Sequence, residues 1–477
     1  MSAASAYDAV IVGSGPNGLA AAITLAEAGR AVLVVERNAE VGGGTRSAEL
    51  TLPGFVHDVC AAILPLTVAS PFFRSLPLER YGLEFITPPA ALAHPMDDGP
   101  AVLLEGGVEE TAVYLDGDGR AYWKLMAPLV EDWEHLVEEF LGPFPFPPRH
   151  ILLASRFAMS ALWPAYHLAK TTFRGERARA LFAGLGGHAI QPLEAPATAS
   201  FALMEGVVAH SLGWPLLRGG TQGLARALAA HLKSLGGEIR TEMEVSTLDE
   251  LPAAKAYLLD VTPRQVMQMA GKRLPEYYLH QLSGYRYGPG VFKLDFALSE
   301  PIPWKDPACR RTATLHLGGT LDEIALSERA VWRGEHPERP FIILAQQSLF
   351  DETRAPQGKH TAWAYCHVPN GSTVDRTETI LGQIERFAPG FRDVVLACHA
   401  TGPGQMEVYN PNYVGGDING GVQDLRQLFT RPVARIVPYS TPAEDVWICS
   451  SSTPPGGGVH GMCGVQAARA ALAAGRV

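Results

Sequence analysis

The tightest constraint on the fold lies at the amino end, where the apolar run Tyr7–Val12 passes directly into Gly13-Ser14-Gly15-Pro16-Asn17-Gly18. A short apolar run buried on both faces reads as a parallel strand. Beyond it Leu19, Ala22, Ile23 and Ala26 recur at helical spacing, and Gly29 stands where a helix-ending glycine belongs. A second apolar run, 31–35, ends in Glu36 and Arg37. Strand, glycine turn, helix, strand and acid in that order predict a Rossmann-type α/β unit that binds a dinucleotide. Gly13 permits the tight turn, Gly15 lets backbone N–H groups approach a pyrophosphate, and Gly18 lets helix and strand pack closely. The helix N-terminus adds partial positive charge, and Glu36 is placed to accept hydrogen bonds from a ribose diol. Ser14, Pro16 and Asn17 complete the turn, and with Arg37 they join the cofactor-binding set.

The turn alone suits NAD or FAD. The residues after Glu36 separate them. Gly42-Gly43-Gly44-Thr45-Arg46-Ser47 comes just past the second strand, where another flexible loop would lie over the same pyrophosphate. Arg46 can neutralise phosphate charge and bond it bidentately. A glycine loop followed by Arg is similar to FAD proteins of the glutathione-reductase and amine-oxidase type. FAD is therefore the expected cofactor, with Gly43, Gly44, Thr45 and Arg46 among its contacts.

A chain of 477 residues has room for two cores of ordinary size. With 47% hydrophobic and 18% charged residues it is not a disordered tail. A net charge of −10 argues against a nucleic-acid partner, whose backbone demands clustered Lys and Arg. Six scattered Cys without a CxxC pair make no disulfide framework and fit a reducing compartment. Met1 to Tyr7 lacks a signal-peptide pattern, and no apolar stretch is long enough to span a bilayer. The expected location is the cytoplasm.

At the far end a strand over 446–450 runs into Ser451-Ser452-Thr453-Pro454-Pro455-Gly456-Gly457-Gly458-Val459-His460-Gly461-Met462-Cys463-Gly464 and a helix over 465–472. Backbone N–H groups and a helix dipole there would stabilise negative charge on a reduced ring. Ser451, Gly461 and Met462 are assigned to the cofactor on that ground. A plain glycine-rich turn before a terminal helix is the alternative.

These motifs together resemble the phytoene dehydrogenase/desaturase family, which also holds carotenoid isomerases and retinol saturases. Arg218-Gly219-Gly220-Thr221-Gln222-Gly223-Leu224 and the stretch 410–421, Asn-Pro-Asn-Tyr-Val-Gly-Gly-Asp-Ile-Asn-Gly-Gly, are similar to its phytoene dehydrogenase-like branch. The resemblance implies FAD and an apolar, polyene-like or lipid-like substrate. It also implies that Val245 meets the adenine through its backbone. Two departures stand out: Gly44 occupies a position where the family carries Arg, and Pro454 one where it often carries His.

First and last strands at opposite termini make the FAD-binding domain discontinuous, over 1–75, 215–290 and 436–477. The α+β substrate domain then takes 76–214 and 291–435. A helix over 223–235 and strands over 238–245, 256–261, 101–104, 291–296 and 341–345 are expected. Asp116-Gly117-Asp118-Gly119 reads as a hairpin turn rather than a calcium loop. Gly184-Leu185-Gly186-Gly187 lacks a framing strand and acid, so no separate NAD(P)H domain is expected. The apolar stretch 151–170, with Trp163 and Tyr166, is ringed by Arg149, His150, Arg156, Lys170, Arg174, Arg177 and Arg179. It reads as a buried helical hairpin or as a peripheral membrane contact within 149–179.

No residue pattern points to nucleophilic catalysis, and no metal-ligand spacing occurs. His57 and Asp58 could orient a substrate or move a proton, or could simply be satisfied loop residues. The expected activity is FAD-dependent oxidation, a desaturation, of an apolar small molecule by hydride transfer to flavin, with quinone or oxygen accepting the electrons. A redox-neutral FAD-dependent isomerase, an amine oxidase and a non-catalytic flavin-binding interaction protein are the alternatives.

Overall fold

A computed structural model describes residues 7–142 and 148–477. The expected absence of a signal peptide falls, Tyr7 apart, outside the described residues. The first apolar run is strand β1, Tyr7–Val12, and the glycine turn delivers the chain into helix α1, Pro16–Glu27. Pro16 sits in the first turn, where a missing N–H costs nothing. Gly29 adopts a φ of +76°, the left-handed conformation that ends the helix and returns the chain to strand β2, Val32–Val35.

Five parallel strands form the first sheet, in the order Val446–Ile448, Ala254–Leu259, β1, β2, Glu238–Arg240. The carboxyl-terminal strand is thus separated from β1 by one strand only. Helix Met462–Ala473 then packs along α1 so closely that a Cβ on Gly464 would collide with the carbonyl of Asn17. The expected strand 238–245 stops at Arg240. Glu242 takes a φ of +55°, and the Met243 N–H turns to the Glu36 carbonyl at 2.8 Å instead of continuing the ladder. The chain folds there over the end of β2.

The second sheet has seven strands, ordered Val395–Thr401, Gly290–Leu298, His360–Val368, Ile342–Ala345, Thr312–Leu317, Ala90–His94, Val102–Leu104. Its pairs are antiparallel except Thr312–Leu317 with Ala90–His94. Helices Glu176–Gly187, Ala199–Leu212 and Leu321–Trp332 cover one face. That face and the α1 layer share one continuous core, in which Ile23, Phe182, Met204 and Phe341 all belong to the same cluster. The opposite face is closed by helix Thr377–Phe387 through Ile380 and Ile384. The architecture is a Rossmann-like parallel five-stranded sheet joined to a seven-stranded, mostly antiparallel sheet covered by helices.

Two further expectations change, at 116–119 and at 151–170. Asp116–Gly119 is no hairpin turn: Asp118 accepts the N–H groups of Arg174 and Gly175, and helix Gly119–Glu131 begins beside it. Both carboxylate oxygens of Asp118 thus tie the turn to the 174–175 loop. The glycines 184–187 lie inside helix Glu176–Gly187, where Gly184 makes room for the His316 ring.

The stretch 151–170 forms two helices, Ile151–Ala161 and Ala165–Thr172, broken at Pro164. It is not buried throughout, because Leu152 is 88% and Met159 71% exposed. Its ring of basic groups is thinner than the sequence suggests. Arg177 donates to the carbonyls of Tyr114 and Pro100, Arg179 to that of Phe173, and Lys170 pairs with Asp322. Arg149, Arg156 and Arg174 remain exposed.

All six Cys are free thiols. Among the described residues no helix is long and apolar enough to cross a membrane.

Candidate functional site

The glycine turn is built as its spacing requires. Gly13 has a φ of +99°, and a Cβ on Gly18 would strike the Gly13 carbonyl. A Cβ on Gly15 would lie 2.8 Å from Asp260 Oδ2, so this surface must stay bare. Glu36 is held at the end of β2. Its Oε2 accepts the Ser14 N–H at 3.0 Å and the Ser14 hydroxyl at 2.7 Å, and its Oε1 accepts the Asn38 N–H and side-chain amide. The Ser14 hydroxyl and Asn38 amide can rotate away, so these are the donors a ribose diol can replace. Val245 lines the cleft beside Met243 and Glu244, and Arg37 lines it while donating to the Val408 carbonyl.

The second glycine loop lies on the first. The Gly42 N–H donates to the Ser14 carbonyl at 3.0 Å, and a Cβ on Gly43 would come within 3.0 Å of Gly15 Cα. Gly44 leaves space for the Tyr413 hydroxyl, and buried Thr45 donates to the Gly42 carbonyl. Arg46 lines the cleft, but its guanidinium is already engaged. It donates to the carbonyls of Gly43 and Tyr409 and lies 4.1 Å over the Tyr409 ring. Any phosphate contact is thus made by an arm held from the 403–413 segment.

Sequence reasoning missed Asp260. It ends strand Ala254–Leu259 as Glu36 ends β2, and that parallel was the available signal. Its Oδ2 accepts the Gly18 N–H at 2.9 Å. Burial, with Glu36 nearby, pushes its carboxyl up to about 7. The 410–421 stretch wraps the same corner. Asn412 donates to the Asp260 carbonyl and accepts the Thr262 N–H, while Asp417 gathers the N–H groups of Gly288, Asn419 and Gly421.

One cavity of about 810 Å³ joins these parts. From Gly13–Asn17 and Glu36 it passes Gly43–Arg46, then Ser451 and Gly457–His460 of the terminal loop. It ends among apolar side chains that include Leu136, Phe157, Phe201, Met204 and Trp363. Gly461 and Met462 stand behind its wall. Gly461 has a φ of +71° against the Phe73 ring, and the Met462 N–H donates to His460 Nδ1 at 3.0 Å. Both position His460, which burial keeps neutral, its value near 4. Gly18 also serves packing rather than lining.

His57 and Asp58 do not reach the cavity, and the proton-moving role considered for them falls away. His57 Nε2 contacts the Thr51 hydroxyl at 2.8 Å, and burial lowers its value to about 3. Asp58 pairs with Arg354 at 2.7 Å and takes bonds from Ser47 and from Thr221 of the Arg218–Leu224 stretch. These contacts hold its carboxyl low despite complete burial. Arg354 is in turn bound to Asp351 at 2.9 Å. The pair is a structural rivet between the hairpin Ser47–Glu49/Val56–Asp58 and the 351–354 turn. Among the described residues no cluster could hold a metal ion.

Two stacked glycine loops and a pinned acid line one part of the cavity, and apolar side chains line the rest. The amino-terminal unit is a Rossmann-like dinucleotide fold. Residues 11–76 match the NAD(P)-binding Rossmann-like domain family. The chain is 25% identical to the rat (Rattus norvegicus) pyridine nucleotide-disulfide oxidoreductase domain-containing protein 2, covering 97% of this chain and 92% of that protein. Over 111 residues it is 37% identical to a limonene dehydrogenase subunit of Castellaniella defragrans, covering 23% of this chain and 20% of that one. Over 149 residues it is 29% identical to the carotenoid 3,4-desaturase of Haloarcula japonica, covering 30% and 29%.

A Methanosarcina mazei oxidoreductase shares the fold with a TM-score of 0.66 at 16% identity, covering 98% of this chain and 99% of that one. Putrescine oxidase does so at 0.60 and 19%, covering 98% of each. The chain thus shares its fold with these two oxidoreductases over nearly its whole length.

Proposed function

We propose that this protein desaturates an elongated, mainly apolar substrate. The observation that carries this reading is the continuity of the cavity from the glycine turn to Phe157, Phe201 and Met204. Bound FAD supplies a two-electron acceptor that takes a hydride from the substrate. Glu36 and the two glycine loops hold the dinucleotide end. Gly457–His460 carry backbone groups toward the far end, where negative charge develops on reduction. Leu136, Phe157 and Phe201 exclude water and align the chain to be oxidised. The enzymes matched over part of the sequence act, by their names, on limonene and on a carotenoid, which supports the apolar class.

We assign electron outflow to a quinone or oxygen. Helix Ile151–Ala161 gives Phe157 and Ala161 to the cavity and leaves Leu152 and Met159 outside. With Arg149 and Arg156 exposed nearby, we assign that outer face to an anionic lipid surface that delivers the substrate.

The test is product analysis under turnover with a quinone. A product lighter by two hydrogens, formed as one quinone is reduced, supports desaturation. An isomeric product of unchanged mass supports the redox-neutral reading instead.

A further inference from the structure

The apolar part of the cavity contains a carboxyl group that the protein itself does not use. Glu205 lies on helix Ala199–Leu212, on the same side as Phe201 and Met204, and lines the cavity with them. Its Oε2 is buried without a hydrogen-bond partner. Trp214, Trp363, Tyr365 and Ile343 belong to the same lining. A carboxylate among such walls is costly unless a cation or several donors meet it.

Among the described residues no basic side chain answers it. His188, also in the lining, has its Nε2 2.9 Å from that of His316, and burial lowers its value to about 3, so it stays neutral. Glu328 is engaged with His367 Nδ1 at 2.8 Å. The Tyr365 phenol is pushed up by burial and by the acids around it, Glu205 among them. Burial alone pushes Glu205 up to about 7. A large fraction of Glu205 therefore keeps its proton at neutral pH, and that O–H has no acceptor among the described residues. Thr314 Oγ1, on another wall, is likewise unpartnered. An apolar cavity that retains unmatched donors is shaped for a ligand that brings the acceptor.

We infer that Glu205 is a substrate-recognition residue, selecting an elongated apolar molecule that bears one neutral oxygen, a hydroxyl or carbonyl, over the plain hydrocarbon of the same length. This rests on reading the apolar half of the cavity as the substrate site. An ammonium head is the poorer match. It calls for an ionised carboxylate, whereas the apolar walls around Glu205 favour the neutral acid. A site that hydrogen-bonds an oxygen discriminates against the analogue without it, because its own buried group is then left unpaired.

The experiment titrates FAD-loaded protein with farnesol, farnesene and farnesylamine, three ligands of matched chain. Binding is read by calorimetry and by perturbation of the flavin spectrum. Wild type is expected to bind farnesol about tenfold more tightly than farnesene, the worth of one well-made buried hydrogen bond. Glu205→Gln keeps a donor and should retain most of that preference. Glu205→Leu should erase it, and an unchanged flavin content shows that the variant is folded.

Equal affinities in wild type, or tightest binding of farnesylamine, would overturn the assignment. Failure of the FAD reading shows separately, as colourless protein. Failure of the Glu205 assignment shows as yellow protein without preference.

Discussion

Asp260 Oδ2 accepts the backbone N–H of Gly18 at 2.9 Å, so the carboxyl group that ends one strand caps the helix that begins after another. The Gly15 cap residue offers no side chain for this, and Asp260 supplies the missing acceptor from across the sheet. The bond also brings an acid to the helix N-terminus, where the dinucleotide proposed above would place its phosphates.

That placement gives the site a pH dependence. The native value of Asp260, about 7, lies above its ordinary value of 3.8. Its contribution to stability is complete below the ordinary value and is lost as pH rises through the native one. Asp260→Asn keeps an acceptor for Gly18 and removes the titration. The variant is expected to flatten the fall in apo-protein Tm between about pH 4 and pH 7. Near pH 8 it should bind FAD about tenfold more tightly, taking the repulsion between the carboxylate and the pyrophosphate as worth one pKa unit, about 1.4 kcal/mol. Weaker FAD binding by the variant would make the carboxylate itself a cofactor ligand.

Gly15→Val is expected to yield folded but colourless protein. The new Cβ would sit 2.8 Å from Asp260 Oδ2 and fill the surface where the two glycine loops meet. Flavin content after reconstitution checks this; retention of one FAD per chain would show that the pyrophosphate lies elsewhere.

Loss of the buried pair should act on stability and not on chemistry. Arg354 and Asp58 are both fully buried, and removing one partner strands the other. Arg354→Met is expected to cost about 3–5 kcal/mol in denaturant unfolding. Flavin reduction in the surviving folded fraction should be unchanged. Slowed reduction at unchanged stability would return Asp58 to the chemistry.

Vesicle binding tests the outer face of helix Ile151–Ala161. Co-sedimentation with anionic vesicles at low salt should weaken in Leu152→Asp and at high ionic strength. Indifference to vesicles would leave that face as a contact between protein chains.

The dinucleotide unit is legible in the sequence because its demands are local. Gly13, Gly15, Gly18 and Gly29 each satisfy a backbone need that a few neighbours define, and β1 spans the residues its apolar run marks. The features that stay hidden depend on partners far away in sequence. His57 and Asp58 look like a catalytic pair until Arg354 and Asp295 meet them. Asp260 looks like the polar end of a strand until Gly18 reaches it. The strand expected over 238–245 is too long because nothing in the residues around Glu242 announces a left-handed turn. The 410–421 stretch stands out as a pattern, but its purpose requires seeing Asn412 against Asp260.

The central claim is that substrate oxidation reduces the flavin directly. Rapid anaerobic mixing of the FAD-loaded protein with a terpenoid or polyene, in the absence of NAD(P)H, measures it. Bleaching of the oxidised flavin in step with loss of two hydrogens from the substrate is expected, with colour restored by quinone or oxygen. A change in double-bond geometry at constant flavin colour, or rapid bleaching by NADPH alone, would contradict it.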